Sequence, residues 1–195
     1  IEQWVVDAWV DIQTQRHSWK FLRKELNAPL IAAIGDYDGG QLGLSDVAEW
    51  LPEPENMTLY DPAVGIGDEG SLIYVNWPEF RARYRRGVEQ TGKPRFFSLK
   101  PDGKIALSPV PDKVYRLRGE YLRTPQVLAE NTDIPICPER FHDVIKWKAL
   151  VLLMEYDEAP PKALEDKVLQ YTRAMNALER SQLPVPSIRG NPLGY

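Results

Sequence analysis

RFFSLKPDGKIALSPVPDKVYRLRGEYL, residues 95–122, reads as strand, turn, strand, turn, strand. Pro101-Asp102-Gly103 supplies a preset φ, a side-chain acceptor and a residue that tolerates positive φ, the ingredients of a tight hairpin turn. Pro109-Val110-Pro111-Asp112-Lys113 makes the second turn. After it Tyr115, Leu117, Gly119 and Tyr121 alternate with Arg116, Arg118 and Glu120, a period of two with one face buried and one wet. The stretch predicts a three-stranded antiparallel meander.

Outward from this stretch, residues 20–130 carry most of the prolines and nearly all the glycines. Short apolar segments recur there between turn residues: PLIAAI, MTLY and SLIYVNW. Pro78 to Gly87 reads as a short helix, with proline in its first turn and glycine at its end. Both ends of the chain change period. In residues 2–16, Val5, Ala8, Trp9, Ile12 and Arg16 recur at helical spacing, with Trp4 beside the stripe. From Pro138 to about Glu158 a second helix is apolar on nearly all sides between Val144 and Met154, broken only by Lys146 and Lys148, which predicts burial. Ala159-Pro160-Pro161 ends it. Leu164, Val168, Tyr171, Met175 and Leu178 then mark a third helix, about Lys162 to Ser181, and the short link makes the pair an αα-hairpin.

The expected fold is therefore α+β. A helical bundle (1–19 and 131–181) carries a central antiparallel β-rich insertion (20–130) and an extended C-terminal tail (182–195). A chain of 195 residues buries enough surface to fold without a metal or disulfide. The text opens at Ile1, inside a helical pattern and without Met, so further residues are expected ahead of it. No signal-peptide pattern opens it, and no run reaches the ~18 apolar residues of a membrane span, so no membrane partner is expected.

Charge and residue inventory narrow the function classes. Lys+Arg 24 against Asp+Glu 28 leaves a net charge of −4, which argues against broad phosphate neutralisation on DNA. Cys137 is the one cysteine, so neither an internal disulfide nor a thiolate cluster can form. Only His17 and His142 could serve as imidazole bases or ligands. No metal, cofactor or catalytic set is expected.

Four motifs admit a chemical reading and a plainer one. Gly65-Ile66-Gly67-Asp68-Glu69-Gly70 matches G-x-G-x-x-G in letters only. A strand-like segment follows it instead of a helix, and Asp68 and Glu69 would repel phosphate. Asp36-Tyr37-Asp38-Gly39-Gly40 opens like a calcium loop, but Gln41 and Val47 stand where glycine and glutamate are required. Arg81, Arg83, Arg85 and Arg86 form a basic cluster around Tyr84. It reads as a solvated helix face or an intersubunit partner for the acid-rich stretch Trp50–Asp61, with phosphate contact as the other option. Cys137 and His142 sit at a helix start, where packing is the default and a nucleophilic pair the alternative.

The candidate partner-interface residues are hydrophobic. Six tryptophans are present, and two on one helix, Trp4 and Trp9, exceed what one stripe absorbs, so one is expected to face a partner. The tail LPVPSIRGNPLGY is broken by three prolines yet spaces Val185, Ile188, Leu193 and Tyr195 along it, around Arg189. Such a segment is expected to order on a partner rather than support the core.

The order of these features carries a resemblance. W-V-x-x-A-W-x-D-I-Q (4–13) leads to Trp19-Lys20-Phe21-Leu22, then Leu59-Tyr60-Asp61-Pro62 and Trp77-Pro78-Glu79-Phe80-Arg81. Gly92-Lys93-Pro94, Pro101-Asp102-Gly103-Lys104-Ile105 and Arg118-Gly119-Glu120-Tyr121 follow. Ile136-Cys137-Pro138-Glu139-Arg140-Phe141-His142 and Ala177-Leu178-Glu179-Arg180 close the series. Over nearly the whole chain this resembles the head–tail adaptor (connector, head-completion) family of tailed bacteriophages, and is similar in plan to the tail tubular A-type adaptors. The resemblance implies a structural virion protein at the neck, assembled in host cytoplasm as a dodecameric ring. Its partners would be itself, the portal protein and the tail or nozzle protein, with genomic DNA passing through without specific binding. It also implies helices in the ring wall, a projecting β-rich part and a C-terminal segment that reaches the portal. Two other classes stay open: a non-viral interaction module, and a hydrolase using Cys137 and His142.

Overall fold

The computed structural model describes residues 2–16, 18–53 and 55–184. Helix α1 (Glu2–Thr14) opens the chain, and a 3-10 turn (Lys20–Leu22) follows. Four strands come next: β1 (Arg23–Pro29), β2 (Asp36–Tyr37), β3 (Val47–Trp50) and β4 (Thr58–Tyr60). After a 3-10 turn (Ile66–Asp68) come β5 (Gly70–Ser71), β6 (Ile73–Tyr74), helix α2 (Trp77–Tyr84) and β7 (Thr91–Gly92). Strands β8 (Phe96–Leu99), β9 (Ile105–Ser108), β10 (Val110–Pro111) and β11 (Arg116–Arg123) complete the β-rich part. A 3-10 turn (Glu139–Phe141), α3 (Asp143–Tyr156) and α4 (Pro161–Gln182) close the described chain. The architecture is α+β, with every strand between α1 and α3. The chain divides into two compact units, one of residues up to Leu22 with those from Pro125 on, the other Arg23–Thr124.

The helical unit is built on α3, which packs against both α1 and α4. Trp9 is fully buried and stacks on Phe21 at 5.8 Å, and Trp19 stacks on Phe21 at 5.3 Å. This ladder draws Phe21 and Leu22 into the helical unit. Gln126 joins it through Gln13, which is 1% exposed: Gln13 Nε2 donates to the Gln126 carbonyl (2.9 Å), and the Gln126 amide donates to Gln13 Oε1 (2.8 Å). A buried amide so paired leaves no orphaned donor. Pro160 and Pro161 fit the N-terminus of α4, where a missing N–H costs nothing. Pro138 caps a 3-10 turn rather than starting a long helix, so α3 begins only at Asp143.

Burial of α3 differs from the expectation. Val144, Ile145, Ala149 and Val151 are buried, while Trp147, Leu150, Leu152, Leu153 and Met154 are half-buried. Two neighbouring helices from one chain cover two sides of a cylinder, and this sequence is apolar on more than two.

The β-rich unit is a sandwich. One sheet runs β1-β11-β4-β5, with β3 also paired to β11, and the other runs β2-β9-β8-β6. Their facing residues share one core: Leu26, Ala28, Met57, Leu59, Leu117 and Tyr121 from the first side, Tyr37, Phe97, Ile105 and Leu107 from the second. Helix α2 lies on the outer face of the second sheet, where Tyr84 stacks on Phe96 at 5.0 Å and Phe80 is fully buried. Asn76 caps this helix by accepting from the Glu79 amide.

The expected meander is corrected at its third strand. β8 and β9 form the hairpin around Pro101-Asp102-Gly103, with Gly103 at φ 81. β11, however, pairs with β1, β3 and β4 in the other sheet. Pro109 and Pro111 offer no N–H to extend the ladder beyond Ser108. Instead the chain pairs Val110–Pro111 in parallel with Thr91–Gly92 and leaves the second sheet. Eight residues long, β11 then serves as the spine of the first sheet.

Candidate interaction surfaces

Trp4 and Trp9, one pair of expected interface residues, separate in the structure. Trp9 belongs to the core: it is fully buried and its Nε1 donates to Gln126 Oε1 at 3.2 Å. An indole so enclosed contacts its own chain on all sides, which corrects the reading of Trp9 as a partner contact. Trp4 is half-buried and packs on Tyr156 at 5.4 Å between ring centroids. Tyr156 itself is 73% exposed, and on α4 Val168 and Leu169 are 40% and 46% exposed. With the half-buried Leu152, Leu153 and Met154 of α3, these residues leave apolar side chains of the helical unit partly open to solvent, while the Trp147 ring is covered by Lys146 and Lys167. Exposed apolar area on a helix face is one feature of protein interaction sites. Periodicity pointed to this surface through the all-round apolar text of α3, but it could not say which side its own chain leaves open.

Val185, Ile188, Arg189, Leu193 and Tyr195 lie outside the described residues, as does His17.

The β-rich unit presents charge instead. On α2 the basic cluster divides. Arg83 pairs with Glu79 at 2.8 Å, and Arg85 pairs with Glu89 at 2.6 Å and with Asp36. Arg81 and Arg86 are exposed and have no carboxylate partner among the described residues. On the outer face of the first sheet, Arg23 holds Glu53 (2.7 Å) and Glu120 (3.2 Å), and Arg118 holds Glu69 (3.1 Å). The Arg23 pKa is raised, first by its hydrogen bond to Glu53. Glu25 and Glu55 on that face have no cationic partner among the described residues. The sequence links the arginines to Trp50–Asp61 by charge alone, whereas the place of Glu25 beside Glu120 depends on strand register.

The motif letters resolve into structural contacts. Asp68, in the glycine-rich segment, binds Lys93 and accepts from the Asp61 amide at 3.0 Å; Glu69 is held by Arg118. Asp68 and Asp61 both have lowered pKa values, the first through Lys93 and the second through Lys113. Asp36 faces Arg85 and Lys100, and Asp38 accepts from the Gln41 amide, so neither gathers ligands for a cation. Cys137 is buried, and burial pushes its thiol up to about 11. His142 Nε2 donates to the Cys137 carbonyl at 3.0 Å. A nucleophilic thiolate needs a lowered pKa and an imidazole facing sulfur, and this pair has the reverse.

Among the described residues no helix is long and apolar enough to cross a membrane. No curated protein sequence matches the chain. Residues 1–190, both units included, match the family of the SU10 adaptor protein, and the chain belongs to that family of phage structural proteins.

Proposed function

We propose that this adaptor joins the portal of the DNA-filled head to the tail or nozzle, as a dodecameric ring at the neck through which the genome passes. The observation that carries the reading is membership of an adaptor family over residues 1–190. An adaptor works by contact with other virion proteins, and two features suit that. The helical unit keeps apolar surface around Trp4, Tyr156, Val168 and Leu169 that one chain does not bury. The C-terminal text from Val185 to Tyr195 spaces apolar residues between prolines, a composition that gains more from docking than from folding alone. A net charge of −4 also suits a channel, since a wall without surplus cations does not hold DNA electrostatically.

In this arrangement no bond is made or broken. The helices supply a rigid wall, the tail reaches the portal, and the β-rich unit is the part offered to later-joining proteins. The protein is placed in the virion neck, reached from host cytoplasm during assembly. The test is addition of purified protein to DNA-filled heads that lack it, followed by symmetry-averaged imaging. A ring of density below the portal, with tail attachment restored, is the expected result. Heads that stay bare while the folded protein remains in solution would overturn the proposal and favour an interaction module that acts elsewhere.

A further inference from the structure

The β-rich unit carries unpaired charge on both outer layers: Glu25 and Glu55 line a cleft on one, further along which β11 also presents Arg116, and Arg81 and Arg86 stand on the other. On one outer layer, β1 and β11 place Glu25 directly opposite Glu120. Like charges facing across a ladder are destabilising unless a cation intervenes. Arg23 serves Glu120 and Glu53, which leaves Glu25 without a cation among the described residues. Glu55 comes to the same place from the loop between β3 and β4, at φ 65, a left-handed conformation that a non-glycine residue seldom adopts. Together with Glu69, Glu120 and Arg118 they line a cleft of about 330 Å3. Glu69 already occupies Arg118, so the cleft holds more carboxylate than its own chain neutralises.

The other outer layer is α2. Its inward residues Phe80 and Tyr84 pack on the sheet, and its carboxylate Glu79 is taken by Arg83. Arg81 and Arg86 remain exposed and unmatched among the described residues. Between the two layers stand both sheets and their shared core. No bend of one unit could bring Arg81 to Glu55. The match can only be made between molecules.

We infer that copies of this chain dock head to tail through their β-rich units, Arg81 and Arg86 of one copy against Glu25 and Glu55 of the next. The inference rests on the reading of the chain as a self-assembling adaptor, and it names the faces involved. A two-fold pairing of either face with itself would set arginine against arginine or carboxylate against carboxylate. Only a heterologous contact satisfies both faces, and heterologous contacts close into rings or extend as filaments. Because both halves of the match lie on one chain, the occupant is a second copy rather than another protein.

Charge exchange tests it by sedimentation at low salt. Arg81→Glu/Arg86→Glu and Glu25→Arg/Glu55→Arg should each weaken self-association by about a hundredfold or more, since like charges then face each other. All four positions sit on exposed side chains, and an unchanged melting temperature confirms folding. Mixing the two variants, or combining all four substitutions in one chain, should restore association. Added salt should weaken the wild type. Three outcomes overturn the inference: a wild type that stays monomeric up to its solubility limit, variants that associate like wild type, or no rescue on mixing. Addition of the variants to DNA-filled heads separates this from the functional reading. Variants that self-associate normally yet fail to join heads would show that the arginines face another virion protein, with the adaptor role intact.

Discussion

The side chain of Asn56 stands in for a strand opposite Glu120. Asn56 Oδ1 accepts from the Glu120 amide at 3.0 Å, and its Nδ2 donates to the Glu120 carbonyl at 3.0 Å and to the Leu51 carbonyl at 2.7 Å. The place is a gap. Along this edge of β11, β4 pairs with Arg116–Arg118 and β3 with Tyr121–Arg123. Backbone groups between two partner strands would otherwise be left without hydrogen bonds, and a primary amide carries the one donor–acceptor pair that copies a peptide.

Asn56→Ala should therefore destabilise the protein by about 2–4 kcal/mol, because it orphans two backbone groups of a central strand. Asn56→Asp keeps an acceptor but loses both donors, and should cost nearly as much. The neighbouring Gly119 is equally constrained: a Cβ there would meet Met57 Sδ at 2.6 Å and the Asn56 carbonyl at 3.0 Å. Gly119→Ala should cost about 1–3 kcal/mol by overpacking. Urea denaturation of the three variants measures both effects, and a wild-type midpoint for Asn56→Ala would show that water replaces the amide at no cost.

Asp46 and Tyr121 should give the stability profile two slopes. Lys24 first, then the Tyr121 hydroxyl at 2.8 Å, hold the Asp46 carboxyl below its usual range. Its contribution is complete above a pH of about 4 and is lost as pH falls through the lowered value. Tyr121 is pushed up to about 12, mainly by burial and then by Asp46. Its contribution is complete below a pH of about 10 and is lost as pH rises towards that value. Asp46→Asn should flatten the acid slope, and Tyr121→Phe the alkaline slope at a cost of about 1 kcal/mol near neutrality. Denaturation midpoints across pH read this directly; an unchanged acid slope in Asp46→Asn would mean that the other ion-paired carboxylates carry it.

Cys137 should react slowly with a thiol probe at neutral pH. The thiol is buried and raised to about 11, so little thiolate exists and little of it is reachable. Labelling should accelerate in denaturant, in step with unfolding. Rapid single-site labelling of the folded protein would revive the hydrolase alternative.

What could be read in the sequence was what depends on near neighbours. The 3.6-residue period set α1, α3 and α4 to within a few residues, and Pro101-Asp102-Gly103 fixed one hairpin. Pairings between distant segments left no such mark. β11 alternates as well for a partner at Ile105 as for one at Leu26, and its place was decided by two prolines and by where Gly119 admits Met57. Trp9 and Trp4 illustrate the same limit at the candidate site. Both lie on one helix with similar flanks, and only the ring of Phe21 and the amide of Gln126, brought from elsewhere in the chain, bury one of them. The charged faces of the β-rich unit were legible as composition but not as layers, because layers follow from register.

Removal of residues after Pro184 should leave the fold intact and abolish assembly onto heads. Helix α4 runs to Gln182, and the Leu183 amide closes its last turn on the Glu179 carbonyl at 2.9 Å, so the cut keeps the helix and its end. The removed text contains Val185, Ile188, Leu193 and Tyr195, apolar groups set between prolines and glycines that deny them a helix stripe or strand face. Buried apolar residues of a core follow such a period, whereas anchors of a docking segment need only match their receptor. The melting temperature should thus shift by less than about 3 °C, the equivalent of under about 1 kcal/mol for a chain of this size. Incorporation into portal-containing heads should fall sharply, and Arg189→Glu in the full chain should slow it where the receptor groove is acidic. A truncated protein that melts far lower would assign the tail to the core. One that joins heads normally would move the portal contact to the helical unit, with Tyr156 and Leu169 the first residues to replace.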